Sequence, residues 1–392
     1  MTEITCIGDF LRVVKELSPQ NKSVFYRGQR NSEYGINSSI SRLLKSVKLN
    51  PISIKRYNTI TRVFYDDEIS KYHLASELYS TFREKHIVYP DVNIINGYSM
   101  NDIDLHVTAQ HYGLSTRVID WTYSPLIALY FATEKRKNNG IKYEDDSKDA
   151  SVFMIWNEES NKLDVCSSDN FLKRIEAEKK IHKKISKDCE SFYLTHRYKI
   201  YNMHDELERY VDELYNKLID YTNHLEFGET IRLNSTDHLI DLVECRDNLN
   251  ANEFIEKIFY FAVRFFNQSY NYSRPNATID IFNDYNTIIE PLPINQRVKN
   301  QQGVLMFCKK VEDDVYPSSK FNEKNTINHI DDESLSEVSK NAGLLKIIIP
   351  KSSIKSIRKE LELYGFSKDF VYPEIMSFTE YMQEKIISKH SI

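Results

Sequence analysis

Between His111 and Thr122 the chain reads His-Tyr-Gly-Leu-Ser-Thr-Arg-Val-Ile-Asp-Trp-Thr, which puts an imidazole, a phenol, a guanidinium, a carboxylate and an indole within twelve residues. His111 can serve as acid, base or phosphate contact, and Tyr112 can stack on a base. The same histidine can equally cap the C-terminus of its own helix. Thr116, Arg117, Asp120, Trp121 and Thr122 combine hydroxyls, a second cation, an acid and an aromatic plane. Trp121 serves either as a core anchor or as a ligand platform, and Asp120 either lines a site or holds an arginine. Upstream, Phe25-Tyr-Arg-Gly-Gln29 displays Arg27, whose planar fork grips phosphate or carboxylate through two bonds. Gly28 lets a ligand approach the backbone there, with Gln29 alongside. The other reading of Arg27 is a structural arginine paired with an aspartate. Far downstream, Arg297, Gln301 and Gln302 precede Gly303. A glutamine positions a hydroxyl or a water but cannot take a proton as glutamate does.

Local pattern supplies the elements that must hold these groups. Ile7, Phe10, Leu11, Val14 and Leu17 keep helical spacing up to Ser18-Pro19, and a strand follows over 24–29. Residues 69–86 and 102–112 read as helices. The β-branched run 116–120 reads as a short buried strand, with Asp120, Trp121 and Thr122 in the connection to the next helix. That helix starts with Ser124 as N-cap and Pro125 in its first turn. Further strands are expected at 151–156, 287–290, 303–309 and 344–349, and a helix at 352–363. From about 168 to 270 the chain is charged and rich in helix formers. This stretch is too long for a loop and is expected to pack as a helical insertion. The fold class is therefore α+β: a mixed, split sheet of about six strands with surrounding helices and a large helical insertion. The expected division is one discontinuous domain, with core halves at 1–156 and 286–392 and the insertion at 157–285.

Bulk properties narrow the function classes. The net charge of −5 carries no global nucleic-acid footprint. The five cysteines are scattered without paired spacing, which argues against a zinc site or a disulfide framework. The basic run 170–187 is diluted by Glu176, Glu178 and Asp188 and reads more simply as a solvated face. No apolar run has transmembrane length and the first ten residues lack a signal-peptide pattern, so a cytoplasmic protein without a membrane partner is expected. Abundant Asn, Ile, Lys and Tyr fit an AT-rich bacterial or mobile-element gene. Walker, G-x-G-x-x-G, H-E-x-x-H and G-x-S-x-G motifs are absent.

His111-x-Gly113-x-x-Thr116-Arg117-Val-Ile-Asp120-Trp121-Thr122, followed by Pro125-x-x-Ala-Leu-x-Phe-Ala132, resembles the core motif of the FRG domain family. Phe25-Tyr-Arg27-Gly28 resembles the segment that gives the family its name, and Arg297-x-x-x-Gln301-x-Gly303 resembles a third element. The order of these parts is similar, more distantly, to the ADP-ribosyltransferase superfamily. That resemblance implies NAD⁺ as substrate, with Arg27, Gly28, Gln29, Tyr112, Thr116, Arg117, Trp121 and Thr122 holding it. It also implies Asp120, His111 and Gln302 as the catalytic candidates, because Gly303 stands where the superfamily carries its glutamate. Asp120 or Glu290 would then replace that acid. The resemblance implies an effector acting as a bacterial toxin or in anti-phage defence, with a protein or nucleic-acid target and a regulatory partner met through the insertion. The alternative is a non-catalytic nucleotide- or nucleic-acid-binding sensor on the same core.

Overall fold

The computed structural model describes residues 3–58, 63–89, 100–173 (except 136, 139–141 and 144–146), 286–291, 296–331 (except 308–310 and 312–313) and 342–374, with isolated positions elsewhere. The basic run and the helices expected within 174–285 fall outside the described residues.

Fourteen described strands run in chain order. They are β1 Phe25–Gln29, β2 Ile36–Asn37, β3 Ser53–Asn58, β4 Val63–Glu68, β5 Val118–Thr122, β6 Lys137–Asn138 and β7 Lys142–Tyr143, then β8 Ala150–Ile155, β9 Leu163–Ser167, β10 Asn286–Glu290, β11 Gly303–Phe307, β12 Asp314–Tyr316, β13 Thr326–Ile327 and β14 Leu344–Ile349. The helices are α1 Ile7–Leu17, α2 Ser39–Ser46, α3 Ser70–Lys85, α4 Asp102–His111, α5 Pro125–Thr133, α6 Gln296–Asn300, α7 Lys351–Leu363 and α8 Lys368–Val371. The fold is α+β. All six expected strands join one sheet of eight, in the order β13-β14-β8-β1-β5-β11-β10-β9. Its pairings are antiparallel except β9 with β10 and β13 with β14. The two strands that periodicity missed, β9 and β13, are the sheet edges. Edge strands are buried on fewer sides, so their apolar alternation is weak. β9 falls within the residues assigned to the helical insertion.

The sheet is continuous, not split, but its continuity is narrow. β1 meets β5 at a single residue pair, Tyr26 with Thr122, whereas β5 pairs with β11 along five residues. Two half-sheets therefore touch at a seam. One face of the sheet carries α1, α5 and α7 on a core that includes Phe10, Tyr26, Met154, Leu345 and Ile357. Beyond the seam the same face is covered by α4 and α6, through Ile103, Val107 and Val298 against Val118, Leu305 and Phe307. The opposite face buries Phe25, Ile119, Trp121, Phe153 and Tyr316.

The helix ends follow the expected chemistry. The hydroxyl of Ser124 accepts from Ile127 N at 3.3 Å, and α5 begins on Pro125. Asn101 and Asp104 form a capping box at the start of α4. The expected strand over 116–120 starts later, at Val118, because the backbone of Thr116 is engaged elsewhere. Its N–H donates to Ser39 Oγ at 2.9 Å, and its carbonyl accepts from Ile40 N at 3.1 Å. Asp120, Trp121 and Thr122 consequently belong to a central strand rather than to the connection into α5.

Candidate functional site

β5 shows its side chains alternately to the two faces. Ile119 and Trp121 go into the opposite-face core, with Trp121 edge-on to Tyr316 at 6.5 Å between ring centroids. Val118, Asp120 and Thr122 face α4 and α6. Within the strand only Asp120 is exposed. Both of its carboxylate oxygens accept from Gln110 Nε2, at 2.7 Å each, and the hydroxyl of Thr116 donates to Gln110 Oε1. A threonine thus orients a glutamine, which orients the acid. Gln110 is a site residue that the sequence reading passed over. Its signal was available, because Gln110 follows Ile103 and Val107 on one helical face at spacings of four and three.

Arg27 sits at the seam. One residue beyond the Tyr26–Thr122 pair the two strands have parted, and Arg27 Nη1 donates to the backbone carbonyl of Asp120. The guanidinium takes the place of a ladder hydrogen bond between the half-sheets. Arg27 thus meets Asp120 through that residue's main-chain carbonyl, a contact that does not depend on the aspartate side chain.

A cleft of about 230 Å³ opens beside these groups on the α4 and α6 face. Arg27, Gln110, His111 and Asp120 line one side of it, and Arg297, Gln301 and Gly303 the other. Among the described residues of that lining Asp120 is the one acid, against two arginines. His111 is held neutral, with a pKa pushed down to about 4, first by burial and then by the nearby charge of Arg297. The C-terminus of α4 would favour a protonated imidazole, so desolvation outweighs the helix dipole here. Arg297 stacks over Tyr372 at 4.8 Å from the ring centroid and reaches Glu374 at 3.4 Å. Arg297 Nε and Trp121 Nε1 are both buried without a hydrogen-bond acceptor among the described residues. Both residues line the cleft. Orphaned buried donors are rare; that of Arg297, beside the cleft, suits a ligand that brings an acceptor, whereas the indole of Trp121 points into the opposite-face core.

Several sequence candidates occupy other places. Gln302 adopts a left-handed φ of 46°, its carbonyl accepts from Tyr123 N, and it does not line the cleft. Its neighbour Gln301 does, with Nε2 donating to Val371 O at 3.0 Å. Tyr112 is 57% exposed on the outer side of the α4 C-cap, away from the cleft. Arg117 is buried with its guanidinium 5.3 Å from the Phe307 ring centroid, among core residues. Thr116 supports Gln110 from behind. Gln29 reaches Gly35 O at 3.4 Å and lines a second cavity. Glu290 accepts from the hydroxyl of Tyr123, and burial first, then this contact, raises the tyrosine pKa. Thr122 lines the floor, where its hydroxyl donates to Gln301 O at 2.6 Å and ties β5 to the turn before β11.

The two glycines differ in kind. A Cβ on Gly28 would lie 1.8 Å from the Ala128 carbonyl oxygen, so this glycine lets β1 pack directly on the backbone of α5. Close helix–strand packing accounts for Gly28 without a ligand. A Cβ on Gly303 would meet nothing nearer than Val298 O at 3.8 Å, so a side chain would fit there.

Residues 22–140 match the family model of the FRG domain. This chain carries an FRG domain. No curated protein and no solved structure matches the chain. The FRG domain match contains the Arg27 seam and the Thr116–Gln110–Asp120 relay, but Arg297, Gln301, Gly303 and Tyr372 lie beyond it. The cleft is completed by residues outside the matched segment, which reach it through β11, α6 and the segment after α8. Among the described residues no helix is long and apolar enough to cross a membrane.

Proposed function

We propose that this FRG domain protein binds NAD⁺ in the cleft and transfers ADP-ribose to a target, as an effector of bacterial toxin or anti-phage defence type. The observation that carries the proposal is the oriented carboxylate of Asp120, set on the strand next to Gly303 and bordered by Arg27 and Arg297. In such a reaction nicotinamide leaves with the electron pair of the ribose–nitrogen bond, an oxocarbenium ion develops, and an acceptor nucleophile bonds to the same carbon and gives up its proton. A preorganised carboxylate stabilises the developing cation. Gln110 holds both oxygens of Asp120 and so fixes the plane of the carboxylate. Neutral His111 suits the role of proton acceptor. The arginines suit the phosphates and the carboxamide oxygen.

Two observations favour a second reading, a sensor that binds a nucleotide without turnover. Gly303 leaves the superfamily's usual acid position empty, and a cleft of about 230 Å³ is below the roughly 300–1,000 Å³ of ordinary small-molecule sites. The deciding experiment measures nicotinamide release and NAD⁺ binding by the purified chain in bacterial lysate, beside Asp120→Asn and Arg27→Gln. Release accompanied by ADP-ribose bound to a lysate component, both abolished by Asp120→Asn while NAD⁺ still binds, establishes the transferase. Binding by the wild type with no release in any sample establishes the sensor. Absence of both binding and release refutes both.

A further inference from the structure

The segment after α8 walls the cleft without belonging to the sheet. Val371, fully buried in the core shared with α5 and α7, anchors it. Side chains of α6 and its turn grip the main chain at that anchor. Asn300 Nδ2 donates to Phe370 O at 2.7 Å, and Gln301 Nε2 donates to Val371 O at 3.0 Å. Past the anchor the hold becomes lighter. Tyr372 meets Phe131 and Tyr130 edge-on, at 6.2 and 6.4 Å between ring centroids. Pro373 has no N–H to donate, and both it and Glu374 are exposed.

Glu374 ends this segment on Arg297. Its Oε1 stands 3.4 Å from Arg297 Nη1, beyond the roughly 2.7–2.9 Å of a well-seated charge-assisted bond. The side chains of Arg297 and Glu374 are 26% and 49% exposed, so water screens the pair and it contributes little. Arg297 Nε, meanwhile, is buried beside the cleft with no acceptor among the described residues. Glu374 thus engages one nitrogen of a guanidinium suited to take two oxygens side by side. A phosphate or pyrophosphate group entering the cleft offers the second oxygen.

We infer that residues 372–374 form an autoinhibitory strap, in which Glu374 stands on Arg297 in place of a ligand phosphate and is displaced when that phosphate binds. The inference rests on the reading that the cleft takes a nucleotide, which the transferase and the sensor share. Tyr372 is part of the cleft wall, so moving the strap widens a space of about 230 Å³, below the roughly 300–1,000 Å³ of ordinary small-molecule sites. The two ends of the strap act together: the carboxylate withholds the cation and the ring withholds the room. A ligand without an anionic group has nothing to exchange for Glu374 and leaves the strap closed.

The test is calorimetric titration of the full chain with inorganic pyrophosphate and, separately, with NAD⁺. Wild type, Glu374→Gln, Arg297→Gln and the double variant are compared, each shown to be folded by its melting curve. Relief from an exposed competing ion pair should tighten pyrophosphate by about 1.5- to 5-fold in Glu374→Gln. In the Arg297→Gln background the same change should have no effect, because the contested cation is gone. Tightening of equal size in that background would mark a general charge effect and overturn the strap. NAD⁺ separates the strap from the reading beneath it. NAD⁺ binding with equal pyrophosphate affinities in wild type and Glu374→Gln ends the strap alone. Tighter pyrophosphate in Glu374→Gln with no NAD⁺ binding ends the NAD⁺ reading alone. Absence of binding of either ligand to any sample ends both.

Discussion

Replacing Gly28 by alanine tests the central packing of the fold. The added methyl would stand 1.8 Å from the Ala128 carbonyl oxygen and 2.6 Å from Ala132 N, and ordinary contact begins near 3.4 Å. Both obstacles are backbone atoms in the middle of α5, so no side-chain rotation relieves them. β1 and α5 must part by more than an ångström, which loosens Tyr26, Ile127, Ala128, Leu129 and Ala132 together. Overpacking costs typically about 1–3 kcal/mol where side chains can yield, and here they cannot, so a loss of about 3 kcal/mol or more is expected. At roughly 2–4 °C per kcal/mol, the melting midpoint should fall by about 6–12 °C. Gly303→Ala is the matched control. Its methyl meets nothing within 3.8 Å and its φ is not left-handed, so the same substitution should be neutral or stabilising by about 0.4–1 kcal/mol. Thermal unfolding followed by circular dichroism reads both. A Gly28→Ala protein melting within 2 °C of wild type would refute the strand–helix contact and return Gly28 to the role of admitting a ligand.

Gln110→Leu removes the donor to Asp120 and the acceptor of Thr116 at a partly exposed site, and should cost about 1 kcal/mol. Combined with Asp120→Asn in a double-mutant cycle it should show coupling of about 0.5 kcal/mol or more, and strict additivity would break the relay. His111 titrates near 4 in the fold against 6.5 when unfolded, so between those values the unfolded chain binds more protons. Its contribution of up to about 3 kcal/mol is then complete above pH 6.5 and lost as the pH falls toward 4. His106, buried with a pKa near 3, acts in the same direction. Urea midpoints across that range should fall less steeply in His111→Gln, and an unchanged slope would contradict the burial of His111. Arg297→Gln removes the cation that depresses His111, so the histidine pKa followed by NMR should rise; a static or lower value would place Arg297 elsewhere.

The sequence disclosed most where a single period dominates. The stripe Ile7, Phe10, Val14 and Leu17 of α1, the Ser124–Pro125 start of α5 and the six inner strands carry local signals that tertiary structure had no reason to override. Failures occur where long-range pairing decides. Thr116 has the β-branched character of a strand residue, but its backbone is claimed by Ser39 and Ile40, some 77 positions away. That diversion moved the strand onto Asp120, Trp121 and Thr122. Arg27, Asp120 and His111 line one cleft, whereas Tyr112, expected with them, does not. Gln302 was chosen over Gln301 because spacing alone cannot show that a left-handed turn aims one of two adjacent glutamines away. The closing wall of Arg297 and Tyr372 comes from residues more than 150 positions beyond β5, a proximity that no local pattern encodes.

The narrow join between β1 and β5 also has a mechanical meaning. A sheet transmits load through its ladder of backbone bonds, and here the ladder thins to one pair reinforced by a guanidinium. α5 is covalently continuous with β5 yet packs on β1, so it bridges the weak line like a stitch across two pieces of cloth. Shear between the halves would be resisted by the stitch and by Arg27. A molecule grasped by Arg27 on one half and Asp120 on the other would add a third fastening, and occupancy of the cleft would register as stiffness: slower amide exchange along β1 and β5, with the outer strands unaffected.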